Sequence, residues 1–129
     1  MTSPNRIVID LDGTLTQDDA TRAYPDRLPR LDVIARLREY KALGYTICVQ
    51  TARNMRTYEG NVGLIAVHTL PIIQAWLVEH DVPHDEILIG KPWCGPDGFY
   101  VDDRALRPDE FARLSPVEVP TLIGADPTN

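Results

Sequence analysis

Four short apolar runs in this chain each end at residues that carry chemistry, and this repetition limits the fold more than any other feature. R-I-V-I-D-L (6–11) leads into Asp10-Leu11-Asp12-Gly13-Thr14-Leu15-Thr16, and Y-T-I-C-V-Q (45–50) into Thr51-Ala52-Arg53. E-I-L-I (86–89) leads to Gly90-Lys91-Pro92, and F-Y-V (99–101) to Asp102-Asp103-Arg104. Short β-branched and aromatic runs closed by Gly or Asp read as strands. A helix is predicted over 30–43, with Leu31, Ile34, Leu37 and Tyr40 on one face, Pro29 before it and Gly44 as its stop. A second helix is predicted over 69–80, with Thr69 as N-cap and Pro71 in the first turn. Residues 16–30 read as a polar loop, and 53–67 show no clean period. A short helix is expected over 109–114. Val119–Ile123 reads as a fifth, edge strand within a Pro-containing tail (about 115–129) that is otherwise loosely ordered.

Strands alternating with helices predict an α/β fold: a parallel sheet with helices on both faces, in three Rossmann-like layers. In such sheets ligands bind at the carboxyl ends of the strands, where the residues above all fall.

Length and composition bound the class. The 129 residues fit one domain, 1–129, with 43% hydrophobic and 25% charged residues and a net charge of −6. The acidic balance, with no Lys/Arg run, argues against a nucleic-acid partner. No stretch approaches the ~20 apolar residues of a membrane span, and the N-terminus lacks the apolar core of a signal peptide, so a cytoplasmic protein is expected. Two cysteines make no disulfide framework, and Cys48 reads as a buried small hydrophobe.

Parallel strands would bring Asp10, Asp12, Asp102 and Asp103 into one pocket with Thr51 and Lys91. Two carboxylates ~4 Å apart repel by about 4 kcal/mol at an effective dielectric of ~20, a large share of the ~5–15 kcal/mol that holds a domain together. Protonation or a cation must relieve that repulsion, and an all-oxygen donor set suits Mg²⁺. Such a pocket suits phosphoryl transfer. An aspartate accepts the phosphoryl group, a lysine and a hydroxyl hold its oxygens, and a second carboxyl group moves the proton. Gly13 lets the turn curl so that its N–H groups face the phosphate.

The ordered set D-L-D-G-T-L-T, Thr51, Lys91 and Asp102-Asp103 resembles the haloacid dehalogenase superfamily of phosphohydrolases, and its four motifs span most of the chain. The resemblance implies that Asp10 is nucleophile and metal ligand and that Asp12 is general acid/base, its backbone carbonyl also on the metal. It further implies that Thr51 and Lys91 hold the phosphoryl group, that Asp102 binds Mg²⁺, and that Asp103 supports it directly or through water. Gly13, Thr14, Ala52, Arg53 and Asn54 would contact the substrate. T-A-R-N-M-R-T-Y-E-G-N-V-G and G-K-P-W-C-G-P-D-G-F-Y-V-D-D-R further resemble small bacterial phosphatases of capsular polysaccharide biosynthesis, which implies a small phosphorylated sugar or polyol-type substrate. Residues 16–30 and 53–69 are too short for the cap domain of larger members. A capless core is therefore expected, its site covered by loops, by a neighbouring subunit in a dimer or tetramer, or not at all.

Each residue taken singly has a plainer reading: a turn for D-L-D-G, a solvated charge for Lys91, a surface ion pair for Asp102-Asp103 with Arg104. His68, His80 and His84 lack ligand spacing, and Trp76 reads as core. A signalling receiver domain would place an adjacent acidic pair on the first strand and its lysine last, an order this chain does not follow. A silent phospho-ligand-binding module need not retain the whole set. A phosphotransferase shares the aspartyl-phosphate step and is not separated by sequence.

Overall fold

A computed structural model describes residues 4–125. Contacts group the chain into two compact units, one ending at Trp93 and one beginning at Cys94. In the first, a three-stranded parallel sheet of order β1-β2-β3 is built from β1 (Arg6–Asp10), β2 (Thr46–Thr51) and β3 (Glu86–Ile89). β2 lies in the middle, which explains its unbroken apolar run: Ile47, Cys48 and Val49 are all fully buried. The flanking strands keep outward residues, with Val8 and Leu88 exposed. Burial also raises the pKa of the Cys48 thiol, first by desolvation and then through Glu86, so it packs as an inert hydrophobe.

α1 (Leu31–Ala42) buries Val33, Ile34, Leu37 and Tyr40. Leu31, expected on that face, is exposed instead, because it is the first helical residue and the inward stripe begins at Val33. After Leu43, Gly44 takes a φ of +93°, and the returning Tyr45 stacks edge-on against Tyr40 at 5.0 Å. Residues 53–67, without a clean period in sequence, contain a helix, α2 (Val62–His68). Asn61 caps it by accepting the Leu64 N–H at 3.1 Å. α3 (Leu70–Glu79) follows at a 46° bend and buries Ile73, Trp76 and Leu77. Thr69 begins α3, yet its hydroxyl donates to Asn54 and caps nothing. No single helix among the described residues is long and apolar enough to cross a membrane; along the bent α2–α3 pair Ile65, Ile73, Trp76 and Leu77 are buried, whereas Val62, Val67 and Val78 are exposed.

In the second unit, α4 (Pro108–Arg113) starts where expected, with Glu110 accepting the Arg107 N–H at 2.8 Å and Phe111 buried. Two sequence expectations fail there. Phe99–Val101 form no strand, because no neighbouring backbone among the described residues completes a ladder for them. Val119–Ile123 is not an edge strand but a short helix, α5 (Val119–Leu122). Pro120 has no N–H for a ladder and its fixed φ suits the first helical turn, while Glu118 reaches back to the N–H and hydroxyl of Ser115. The last four residues of the expected tail, 126–129, lie outside the described residues.

Asp85 anchors the sheet's entry edge. Its carboxylate accepts the Lys41 ammonium at 2.6 Å and the Ile47 N–H at 2.7 Å, tying α1 to β2 just before β3 begins. The lysine bond and then the Ile47 N–H hold the Asp85 pKa below the usual carboxylate range. A depressed folded-state pKa contributes stability above the unfolded-state value, and that stability is lost as pH falls. Asp85→Ala is therefore expected to lower stability by about 1 kcal/mol at neutral pH, a partly exposed charge-assisted bond being worth no more. Urea unfolding of both proteins across the acid range should show the gap closing as wild type becomes protonated.

Candidate functional site

β1 leaves the sheet at Asp10, opposite Gln50 in the ladder, and β2 continues one residue further to Thr51, opposite Ile89. The chain after Asp10 turns tightly because the Leu11 carbonyl accepts the N–H groups of Thr14, Leu15 and Thr16, at 3.3, 2.9 and 3.0 Å. Leu11 and Leu15, both fully buried, pin that turn to the core. Gly13 sits at its apex with a φ of +78°, a conformation that costs glycine little. Its N–H donates to the Thr16 hydroxyl at 3.2 Å, so this group is used within the turn and does not face a ligand. The Asp12 N–H and carbonyl, by contrast, make no hydrogen bond among the described residues.

The Asp10 carboxylate lies 3.8 Å from the Lys91 ammonium and accepts the Thr14 hydroxyl at 3.4 Å. Burial pushes its pKa up, and the neighbouring Asp12 charge adds to this. Lys91, the Leu11 N–H and Thr14 offset only part of the rise. Lys91 is held from the backbone side, its N–H donating to the Thr51 carbonyl at 3.1 Å. Gly90 makes that approach with a φ of +88°, and a Cβ there would stand 3.0 Å from Val62 Cγ1. Thr51 is buried, and its Oγ1 accepts the Arg53 N–H at 3.0 Å, which leaves the hydroxyl proton available to donate. Ala52, half-buried, contributes its carbonyl to the Met55 N–H and closes the next turn.

Asp12 has a different environment. Arg53 grips it with two parallel bonds, Nη2 to Oδ1 at 2.8 Å and Nε to Oδ2 at 3.1 Å, and Arg27 Nη1 approaches Oδ1 at 3.7 Å. The Arg53 side chain is 0% exposed. It therefore presents no surface to a substrate, contrary to the role expected from sequence. Asn54 is also committed. It adopts a φ of +62°, accepts the Thr69 hydroxyl at 2.7 Å and donates to Thr57 at 3.2 Å, fastening the loop after β2 to the start of α3. Sequence reading missed Tyr24 and Arg27. They were an aromatic and a cation within a polar loop, with no spacing to mark them.

The first unit thus gathers Asp10, Asp12, Thr14, Thr51 and Lys91 at the strand ends, with Arg53 and Arg27 behind Asp12. Asp102 and Asp103 belong to the second unit, where both are exposed and Asp102 Oδ1 accepts the Arg104 N–H at 2.9 Å in a turn. Among the described residues no three His, Cys, Asp or Glu side chains group as a metal cluster; the carboxylates at the strand ends of the first unit are Asp10 and Asp12. These two still fit a hard cation. Asp10 carries a desolvated carboxylate with only a long contact to its lysine, and Asp12 offers a free carbonyl oxygen. The Asp12 carboxylate, occupied by arginine, does not fit as a ligand.

No family model matches the chain, and no curated protein does either. Among solved structures, a structural-genomics target from Vibrio cholerae is similar at 61% identity and a TM-score of 0.90, over 93% of this chain and 97% of that one. The chain belongs to the same family as that Vibrio cholerae protein. A chain in the Pnkp1/Rnl/Hen1 complex is similar in fold, with a TM-score of 0.53 at 20% identity, over 85% of this chain and 34% of that one.

The raised Asp10 pKa has a testable sign. A carboxyl group whose folded-state pKa is raised favours folding below the unfolded-state value and opposes it once pH rises through the folded-state value. Without divalent cations, Asp10→Asn is expected to melt above wild type at about pH 7 and together with it near pH 3, where both side chains are neutral. Calorimetry of the two proteins in a chelating buffer checks this. A lower melting point for the variant at neutral pH would mean that the Lys91 contact outweighs burial.

Proposed function

We propose that this chain is a Mg²⁺-dependent phosphomonoester hydrolase that works through an aspartyl-phosphate at Asp10, on a capless haloacid dehalogenase-like core with helices on both faces of its sheet. The observation that supports this best is the meeting of Asp10, Thr51 and Lys91 at the carboxyl ends of neighbouring parallel strands, with the Lys91 N–H bonded to Thr51. Three cations, Lys91, Arg53 and Arg27, stand beside two carboxylates, a surplus of positive charge that suits an anionic ligand.

In this reading an Asp10 oxygen attacks phosphorus, the phosphorus–oxygen bond of the ester breaks, and the departing alkoxide takes a proton from Asp12. A water then attacks the phosphorus of the acyl-phosphate, giving its proton to Asp12 and releasing phosphate and the Asp10 carboxylate. Lys91 and the Thr51 hydroxyl hold the phosphoryl oxygens, and the unused Asp12 N–H is a further donor. Within the first unit the Asp10 carboxylate and the Asp12 carbonyl would hold Mg²⁺; the resemblance adds Asp102 and Asp103 as ligands. Bound there, Mg²⁺ supplies neutralisation of phosphoryl charge.

The substrate class belongs to the proposal: a small phosphorylated sugar or polyol-type metabolite of cell-surface polysaccharide synthesis, handled in the cytoplasm. With no cap domain, a second copy of the chain covers the site. Light scattering showing only monomer at working concentration would remove that element.

Phosphate release from a panel of sugar, sugar-acid, polyol, amino-alcohol and nucleotide monophosphates tests the whole. Release that depends on Mg²⁺ and falls by about 10³-fold or more in Asp10→Asn is the expected result. Folded protein that releases nothing with Mg²⁺ present would favour a transferase requiring an acceptor, or a binding module.

A further inference from the structure

Arg53 and Tyr24 are the parts of this site that sequence and chemistry had not accounted for. A fully buried guanidinium is costly unless its charge and N–H groups are met. Here Arg53 spends Nε and Nη2 on the two oxygens of Asp12, and its Cζ lies 4.0 Å from the centre of the Tyr24 ring, while Nη1 makes no hydrogen bond among the described residues. Arg27 also lies over that ring, at 4.7 Å, and sends Nη1 towards the same Asp12 oxygen. One aromatic ring therefore serves two guanidinium groups, and both converge on one carboxylate.

The loop that carries Tyr24 is fixed at several points. Gln17 N–H donates to the Leu28 carbonyl and Arg30 N–H to the Leu15 carbonyl, each at 2.8 Å, and Thr16 bridges Pro29. The Trp76 indole N–H donates to the Arg27 carbonyl at 2.8 Å, joining the loop to the core helix α3. Tyr24 itself opens a one-turn 3₁₀ helix with Pro25 behind it. A planar, two-pronged bond to a carboxylate sets orientation as well as attraction, which a lysine cannot reproduce.

We infer that Arg53 is a positioning residue that fixes the Asp12 carboxylate in its working orientation, with Tyr24 and Arg27 of the 16–30 loop bracing it. This rests on the proposed role of Asp12 in proton transfer. The loop that is too short to be a cap is in this account a brace. Arg53 acts through Asp12 and never touches substrate.

The test compares Arg53→Met, Arg53→Lys and Tyr24→Leu with wild type, using the phosphomonoester that wild type hydrolyses best. Misplacing a reacting group by an ångström costs about 10²-fold. Arg53→Met is expected to lose about that much in kcat with KM within about twofold, Arg53→Lys to recover part of it, and Tyr24→Leu to fall between. A rise in KM at constant kcat would overturn the inference in favour of a substrate contact. Unchanged kcat and KM in protein of lowered melting temperature would overturn it in favour of mere fold support. If Arg53→Met does not fold, the lysine and Tyr24 variants carry the comparison alone.

A second readout needs no turnover. In ¹⁵N NMR of wild type, the Arg53 Nε–H should exchange slowly and shift on Asp12→Asn, whereas a fast-exchanging signal indifferent to that change would contradict the pairing. Wild type that hydrolyses no ester would sink the phosphatase reading, with the NMR result still deciding whether Arg53 holds Asp12.

Discussion

The parallel register of three strands is the constraint on which the site depends. Because β1, β2 and β3 run the same way with Asp10 opposite Gln50 and Thr51 opposite Ile89, the chain delivers a carboxylate, a hydroxyl and an ammonium to one end of the sheet. A slip of one residue in β1 would turn Asp10 to the other face and put Ile9, now buried, in its place. Asp85 at the opposite end, between Lys41 and the Ile47 N–H, helps hold that register.

The two acidic residues of the first motif, two positions apart, have unlike surroundings. Asp10 is partly buried, with its pKa raised by that burial, and lies 3.8 Å from the Lys91 ammonium. Asp12 is held by two nitrogens of a buried arginine, with a second arginine nearby. In the proposed reading these unlike surroundings give the two chemically identical side chains separate roles. The tight turn at Gly13 brings both carboxylates to the same place, and the buried Leu11 and Leu15 keep it closed.

Much of this was legible in the sequence because it rests on local pattern. The three sheet strands follow from β-branched runs, and α1 and α3 from their apolar spacing and their stops. What was not legible depends on contacts distant in sequence. α2 was obscured by Gly63 and a mixed composition, although Asn61 was there to cap it. Phe99–Val101 have strand composition but no ladder, since composition does not supply a neighbour. Pro120 was the signal against an edge strand at Val119–Ile123 and was outweighed by the apolar residues around it. Arg53 was read as a substrate contact because its position beside Thr51 was visible, whereas the ring of Tyr24, far off in sequence, was not. The contact of Asn54 with Thr69 was likewise not legible, because the sequence does not mark that partner.

The central claim is that Asp10 carries the phosphoryl group. Acid quenching during turnover, followed by borohydride reduction and peptide mass spectrometry, tests it most directly, because reduction converts an aspartyl-phosphate into homoserine. Homoserine at position 10, formed only with substrate present, is the predicted result. Steady phosphate release with Asp10 unmodified at every quench time, or with the modification at another residue, would contradict it.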